Sequence, residues 1–458
     1  MRIRKYSLDF ARRTFLENTG KGIVRAGVLG SALTCFMKSG NANGAYPDEL
    51  NSIDEYTKGR ISTGQTISNE NVDLVTDLLD PVRALQIEKM GRKLRVVPSI
   101  GDIQKLLPVA YVEATLRHRG QGRFDGKGNV VTTSGKPWIG GNPFPEPTSA
   151  IEVFAAHTLS WGRHDSSVYV AKEYDLDADG RIQYQYASVW AEMNCVGRTS
   201  VPPLPYMPGA EEKLRYQSVF FVEPSDVKGT GYLNIWPYDQ SQFPDLYGYI
   251  PAFKRVRRFP ANQRFEPLIP GSELYLSDAW AAGDPFLTWG AYRIVFRGPF
   301  LAAVSDGWNG AHLNWEHQTH GGKHQNLFWD TSVQLVPEAI AVEAQPVGFP
   351  RAPVSKKIVW FDARTLLPLA MISYDRQGKP FRYFDCAYAR YEDQNGRVLD
   401  GNEVYWSWSH FHAFNIQTGK MTRVEQVKSV SGGHTMMVND PEILRQYLTL
   451  SALQRLGA

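Results

Sequence analysis

Four strand-like segments in the last quarter of the chain constrain its fold more than any other feature. They lie at 356–362, 368–375, 380–390 and 403–415. Each is a largely apolar stretch of strand length that carries β-branched or aromatic residues, which predicts a series of hairpin-like strands. Short polar turns rich in Asp, Asn and Gly separate the segments, as is typical of hairpins. The chain is therefore expected to contain a large antiparallel sheet.

The first half of the chain mixes strand and helix patterns. Helices are predicted at 71–90, with a break at Pro81, and at 149–161. Strands are predicted at 111–119, 168–174, 182–190, 215–223 and 231–236. The content of 12 Trp, 22 Tyr and 28 Pro favours many short strands and ordered loops. Together the patterns predict a β-rich α+β fold.

We interpret the mature chain as one large domain over residues 46–458. Its N-terminal part, about 46–165, carries the helical patterns, and the antiparallel sheet occupies about 166–438. A C-terminal helix is predicted at 439–456, with Asp440 as its N-cap and an apolar stripe at helical spacing.

Residues 1–45 are predicted to be an export signal. Arg12 and Arg13 begin a stretch that resembles a twin-arginine signal, and residues 26–37 form a mildly apolar run. The segment holds eight of the 50 basic residues and two of the 47 acidic ones. The remainder is close to neutral, which argues against nucleic acid as a partner. We expect a periplasmic protein, either free in the periplasm or peripheral to the outer membrane.

Two cysteines follow the predicted signal. Cys195 and Cys386 could form a disulfide in an oxidising compartment, or each could be buried separately. The sequence leaves both alternatives open.

The stretch 236–300 holds the candidate ligand-binding residues. Strand alternation places Phe253, Arg255 and Arg257 on one face of a short segment. The arginines could pair with a carboxylate or phosphate, and the aromatic rings could line an apolar wall. An alternative is that the arginines are a solvated strand face. The predicted site comprises Trp236, Tyr238, Phe253, Arg255, Arg257, Arg258, Trp280 and Trp289.

Three local patterns carry a resemblance to a known family. The first is Arg255-Val256-Arg257-Arg258 followed by Gly271-Ser272 and Ser277-Asp278. The second is the Pro-rich segment 141–147 before a helix that ends in Ser160-Trp161-Gly162-Arg163. The third is the strand, Leu-Pro-Leu restart and Asp-containing turn within 358–382. Their order resembles the DUF1329 family, which is related to LolA/LolB-type lipoprotein carriers.

This resemblance implies a large curved antiparallel sheet, an incomplete LolA-like barrel, with helices packed on its concave side. It further implies a carrier for a lipid, a lipoprotein or another hydrophobic molecule. By the same resemblance, its partners would be an RND-type exporter and an outer-membrane barrel protein. The implied protein is a binding protein without a cofactor, not an enzyme.

A secreted metal-dependent enzyme is the alternative function. His312, His317, His320 and His324 lie close together in the chain, and imidazoles are common zinc ligands. The chain has no HExxH, GxSxG, P-loop or GxGxxG motif. The Gly321-Gly322 pair would also break a helix that aligned the histidines, so polar loop residues are the simpler interpretation.

Overall fold

The computed structural model describes residues 46–160, 163–260, 264–275, 284–309, 313–392 and 406–458. The predicted export signal lies outside these residues, and so do Trp280 and His312. None of the helices in the described part is long and apolar enough to cross a bilayer.

Strands dominate the described residues, and the helices are short. The α-helices are α1 (Ile53–Thr57), α2 (Pro81–Met90), α3 (Val109–Arg117), α4 (Ala150–Leu159), α5 (Ile443–Tyr447) and α6 (Leu450–Gly457). The 3-10 helices are Asp48–Leu50, Val72–Leu74, Thr76–Leu78, Ile103–Lys105, Pro251–Phe253, Phe286–Thr288 and Lys323–Gln325.

The strands follow the predicted hairpins and add several short pieces. They are β1 (Thr66–Ile67), β2 (Leu94–Val96), β3 (Arg123–Phe124), β4 (Val130–Val131), β5 (Ser166–Leu176), β6 (Ile182–Asn194), β7 (Lys213–Glu223), β8 (Gly231–Pro237), β9 (Asp245–Ile250), β10 (Arg255–Phe259), β11 (Gly290–Ala302), β12 (Val304–Asn309), β13 (Thr331–Gln345), β14 (Val354–Asp362), β15 (Pro368–Asp375), β16 (Pro380–Glu392), β17 (Trp406–Asn415), β18 (Met421–Gln426), β19 (Ser429–Val430), β20 (His434–Thr435) and β21 (Met437–Val438).

One large sheet contains 17 of these strands. Its continuous antiparallel part runs β10-β9-β8-β7-β6-β5-β18-β17-β16-β15-β14-β13-β11. Strand β12 adds to β16 and β2 adds to β13 in parallel, so the sheet is mixed. Within the described residues β10 and β11 do not pair with each other, and the sheet remains open.

The two faces of this sheet are defined by alternation along its strands. The inner face carries Tyr169, Phe221 and Phe411, and the outer face carries Val168 and Phe220. Strand β5 is buried along almost its whole length. Since neither face of β5 is solvated, both must be covered by other elements.

Different parts of the chain cover the two faces. Helix α4 packs on the inner face, where Phe154 contacts Phe361 with ring centroids 5.3 Å apart. The C-terminal helices pack on the outer face, where Tyr447 stacks on Phe220 at 5.9 Å. Helix α2 and the loop 313–330 cover the rest of the outer face.

The structure confirms the predicted β-rich α+β fold with an open sheet and few helices. The helices lie on both faces instead of one, because both faces of the central strands are apolar. Both Cys195 and Cys386 are buried free thiols, so they form no disulfide.

One predicted strand is wrong. Residues 111–119 were expected to be extended, but they belong to helix α3. The buried positions Tyr111, Val112, Ala114 and Thr115 have the spacing of one helical face. Pro108 at the N-cap suits a helix start, because the proline cannot donate a backbone hydrogen bond.

Candidate ligand-binding site

A small cavity lies between the inner face and the segments that cover it. Its volume is about 30 Å³, roughly the space of one water molecule. Aromatic and aliphatic side chains form most of its wall, and one guanidinium reaches it. The lining residues are Leu106, Leu107, Arg163, Tyr169, Leu367, Tyr388, Trp406, Ser407 and Trp408. The wall is therefore apolar apart from a few polar groups and one positive charge.

A β-bulge in β17 directs Trp406 and Trp408 into the cavity. Ala387 pairs with His410, but the next residue, Tyr388, pairs with Trp408. The additional residue on β17, Ser409, reverses the alternation of side chains. Trp408 therefore points to the inner face, whereas His410 lies on the outer face.

Arg163 brings its charge to the cavity from the end of α4. This helix begins with a capping box made by Ser149 and Glu152. After the helix, Arg163 adopts a left-handed φ of 59° and directs the chain towards β5. Its guanidinium donates to the carbonyl oxygens of Ser160 at 2.6 Å and Thr365 at 2.9 Å. Burial lowers the pKa of this guanidinium.

A second buried arginine lies on the inner face below α4. Arg215 of β7 is 1% exposed and donates to the carbonyl oxygen of Thr158. Its guanidinium carbon lies 5.5 Å from the ring of Trp236, its partner on β8. Arg264 approaches the same ring at 5.6 Å and is paired with Asp284 at 2.7 Å. The tryptophan therefore lies between two guanidinium groups.

Several N–H donors of Arg215 and Trp236 have no hydrogen-bond partner in the described part of the chain. They are Nε and Nη1 of Arg215 and Nε1 of Trp236. The carboxylate of Glu192 also lies on this face and accepts from Tyr169 at 2.6 Å and Gln217 at 3.5 Å. Buried donors without acceptors are rare in proteins, and each calls for a physical explanation.

Sequence analysis identified Trp236 but missed Arg215. The available signal was periodicity, because Arg215 and Gln217 occupy the same face of the strand as the apolar Val219 and Phe221. A charge in such a row is costly to bury, so it marks a position with a special role.

Tyr238 and Trp289 have structural contacts. The hydroxyl of Tyr238 accepts from the backbone of Trp138 at 2.7 Å and donates to the carbonyl of Val130. Trp289 donates from Nε1 to Asp284 at 2.9 Å. These contacts attach the loop after β4 and the start of β11 to the body of the protein.

The predicted arginines of β10 lie on the protein surface. Arg257 stacks on Phe253 at 4.0 Å, and Arg258 pairs with Asp245. Arg255 is exposed as well. The structure therefore brings these four site residues together at the edge strand, apart from the buried pair on β7 and β8.

The histidines of the predicted cluster do not converge. The backbone N–H of His317 donates to Glu425 at 2.6 Å, and its ring lies 4.5 Å from that of His410. His324 is exposed in a 3-10 turn. In the described part of the chain, no three metal-ligand side chains are grouped so as to hold an ion.

The outer face holds a buried charge cluster that sequence reasoning did not find. Asp385 accepts from Arg92 at 2.6 Å, from His412 at 3.0 Å and from Arg83 at 3.4 Å. Burial opposes ionisation of Asp385, but Arg92, the hydrogen bond from His412 and Arg83 lower its pKa well below the usual value. Burial lowers the pKa of His412 to about 4. Because about 300 positions separate Arg83 from Asp385, no local motif could reveal the cluster.

The loop 264–275 is attached to the inner face by buried carboxyl groups. Ser272 donates to Glu173 at 2.7 Å, and the backbone N–H of Glu273 donates at 2.7 Å to Thr422, whose hydroxyl in turn donates to Asp175. Burial, with the neighbouring Asp175 as a smaller cause, raises the pKa of Glu173 to about 8. Glu173 is therefore protonated near neutral pH, which removes a charge from this part of the core.

A family model matches most of the chain. It is described as "Protein of unknown function (DUF1329)" and covers residues 66–454. No functionally curated protein matches the chain.

Solved structures show weak likenesses. A domain named for outer membrane lipoprotein sorting, from Vibrio parahaemolyticus, is 18% identical with a TM-score of 0.41. The match covers 67% of this chain and 98% of that one. A DUF1329 family protein from Desulfovibrio piger is 15% identical with a TM-score of 0.43, covering 66% and 97%. A LolA superfamily protein from Nitrosomonas europaea is 12% identical with a TM-score of 0.36, covering 65% and 97%.

Proposed function

This chain belongs to the DUF1329 family, and we propose that it is a periplasmic carrier that binds a lipid, a lipoprotein or another hydrophobic molecule. The observation that carries this proposal is the covering of the inner face. Separate short segments, among them α3, α4 and the loop 264–275, cover an aromatic and aliphatic surface. The cavity lies under residues that flank two of them, Leu106 and Leu107 before α3 and Arg163 after α4, and under Leu367. Because the covering segments are separate, they can move and expose this face without breaking the hydrogen bonds between the strands.

The energetics of apolar burial support a carrier without catalysis. Each buried CH₂ contributes about 0.8 kcal/mol, so a chain of about 14 carbons contributes roughly 11 kcal/mol. Micromolar affinity corresponds to about 8 kcal/mol. The difference, about 3 kcal/mol, is available to offset the cost of moving the cover and ordering the ligand.

The segments that cover the inner face have to move for such a ligand to bind. The cavity holds about one water molecule, whereas pockets for drug-sized ligands span roughly 300–1,000 Å³. We therefore propose that an acyl chain takes the place of α3 and α4 against Tyr169 and Trp408. Aromatic rings suit this role because they offer apolar faces with polar edges.

Location and partners belong to the same proposal. We propose that residues 1–45 direct export to the periplasm, and that the partners are an RND-type exporter and an outer-membrane barrel protein. The exposed side chains Phe253, Arg255, Arg257 and Arg258 are the proposed rim that first meets a charged head group.

Native mass spectrometry of the protein purified from periplasm tests the carrier. We expect a bound lipid-like mass that solvent extraction releases, and no stoichiometric metal in the same sample. A protein with no lipid-like mass and no affinity for fatty acyl probes would contradict the proposal.

A matched pair of variants locates the ligand on one face. Trp408 and Phe220 are each 2% exposed, but Trp408 lies on the inner face and Phe220 on the outer face. Trp408→Leu should weaken binding of an acyl probe about tenfold, and Phe220→Leu should change it less than about twofold. Equal losses in both variants would indicate general destabilisation instead of a site.

A further inference from the structure

We infer that the ligand of this carrier bears an acidic head group, a carboxylate or a phosphate, which binds to Arg215 and Trp236 on the inner face. This inference rests on the proposed carrier function and makes it more specific. It assigns the charged part of the ligand to a buried position beside the cavity, in addition to the exposed arginines of β10.

The hydrogen-bonding groups of the pair set the chemistry of the ligand. Arg215 Nε, Arg215 Nη1 and Trp236 Nε1 are N–H donors without an acceptor among the described residues. A guanidinium and an indole N–H can only donate hydrogen bonds. The missing group must therefore offer several acceptor oxygens, as a carboxylate or a phosphate does.

The charge of the site means that a water molecule cannot fully replace the proposed anion. A water molecule can accept a hydrogen bond, but it cannot neutralise a guanidinium that is 1% exposed. Glu192 offsets part of this charge, but Arg163 adds a second cation, so a bound anion would relieve the cost of the remaining buried charge. Burial lowers the pKa of Arg215 to about 10; Glu192 opposes this shift and Arg163 adds to it. The guanidinium therefore remains charged at neutral pH.

The position of the pair agrees with a ligand whose tail fills the cavity. Arg163 lines the cavity and is close enough to lower the pKa of Arg215 electrostatically. Thr158, the residue to which Arg215 donates, belongs to the last turn of α4. An acyl chain along Tyr169 and Trp408 would thus carry its head group towards Arg215.

Polar atoms without a hydrogen-bond partner on both sides of Arg215 and Trp236 extend the head-group site. The hydroxyl of Thr158 has no partner in the described part of the chain, and a hydroxyl can donate to an anion. The side-chain oxygen of Asn234, two positions before Trp236 on β8, is also without a donor there. A head group that carries both an acid and a hydroxyl would satisfy all of these atoms.

The test compares acids with neutral esters of the same chain. Full-length exported protein is titrated with palmitate and methyl palmitate, and with lysophosphatidic acid and monoacylglycerol, by displacement of neutral Nile red. We expect each acid to bind at least about tenfold more tightly than its neutral counterpart. A larger ratio for the phosphate pair would indicate a phospholipid head group, and a larger ratio for the carboxylate pair a free fatty acid.

Variants assign the preference to the proposed residues. Arg215→Met should reduce the acid-to-ester ratio to within about twofold while the ester binds as before, and Trp236→Phe should reduce the ratio by about threefold. Arg258→Met, at the exposed edge strand, is the matched control and should keep the ratio. Thermal unfolding of each variant shows that the protein is folded.

The outcomes separate this inference from the carrier proposal. Equal affinities for acid and ester in the unmodified protein would overturn the head-group site and leave the carrier standing. An unchanged acid preference in Arg215→Met would also overturn the assignment. If neither acid nor ester bound, both proposals would fail together.

Discussion

Two sets of buried charges lie on opposite faces of the same sheet, and they differ in whether a carboxylate pairs with the arginines. On the outer face, Asp385 receives hydrogen bonds from Arg83, Arg92 and His412, although Nε of both arginines has no hydrogen-bond partner among the described residues. On the inner face, Arg215 is buried to the same extent, yet within the described ranges its one hydrogen bond is to a backbone carbonyl, and both Nε and Nη1 lack an acceptor.

This difference would separate a structural cluster from the proposed head-group site. Buried charges that satisfy each other contribute to the stability of the fold and have little capacity left for a ligand. Buried donors that lack acceptors destabilise the unliganded protein, and this cost is recovered when an acceptor binds. Four predictions test the contrast, from the largest expected effect to the smallest.

Removal of the central carboxylate should give the largest loss of stability. Among the described residues, Asp385→Ala leaves Arg92 buried without a carboxylate partner and Arg83 with Asp80 alone, at 3.7 Å, so the free energy of unfolding should fall by about 3–5 kcal/mol. Arg215→Met on the inner face removes an unpaired charge and should change it by less than about 1 kcal/mol. Urea denaturation of both variants measures these values. Similar losses in the two would remove the distinction between the faces.

A buried hydroxyl on each face gives a finer comparison. The hydroxyl of Tyr383 donates to Asp80 at 2.9 Å on the outer face, so Tyr383→Phe should cost about 1.5–3 kcal/mol. The hydroxyl of Thr158 has no partner among the described residues, so Thr158→Val should be neutral within about 0.5 kcal/mol or stabilising. Thermal unfolding measures the loss of stability in the two variants. A loss in Thr158→Val as large as that in Tyr383→Phe would show that the Thr158 hydroxyl has a hydrogen-bond partner.

The outer face should also titrate under mildly acidic conditions. Burial lowers the pKa of His412 to about 4, below the ordinary value of about 6.5. The unfolded chain therefore binds the proton first, so stability is fully present above about pH 6.5 and is lost as the pH falls towards 4. In His412→Asn the free energy of unfolding should change less with pH, by up to about 1.4 kcal/mol per pH unit. Arg215→Met should keep the original slope, and an unchanged slope in His412→Asn would argue against this assignment.

The exposed arginines of β10 should have the smallest effects. The side chain of Arg258 is 68% exposed and that of its partner Asp245 is 44% exposed, and such pairs contribute about 0.2–1 kcal/mol. Arg258→Ala should therefore leave stability almost unchanged. Arg255→Glu combined with Arg257→Glu should weaken palmitate binding less than Arg215→Met does, because salt screens exposed charges. A larger effect of the double variant, measured by the same displacement titration, would place the head group at the rim.

Local features of the sequence predicted much of the fold. The hairpins β14 to β17 follow largely apolar segments of strand length separated by turn residues, and the turn after β15 is closed by the Asp375 side chain as expected. Helix α4 begins where Ser149 and Glu152 form a capping box. Helix α3 was missed because its nine residues contain too few polar positions to distinguish a helix from a strand.

The candidate site was predictable only in part. Trp236 belongs to a strand whose pattern is visible in the sequence, and Arg163 ends the second of the three patterns that resemble the family. Nothing local indicated that Arg215 would lie against Trp236, because the neighbours on adjacent strands depend on register. The exposed position of the β10 arginines likewise follows from β10 being an edge strand.

Local sequence patterns predicted most of the long strands, their turns, the start of α4 and the family. Each of these depends on residues a few positions apart, where period and turn chemistry act. Tertiary contacts set which buried charges meet a partner. Asp385 meets Arg83 of α2, Arg92 just after α2 and His412 of β17, whereas Arg215 meets a carbonyl and an aromatic ring. Satisfaction of a buried charge depends on contacts between distant segments, and these exist only once the sheet and its covering elements have assembled.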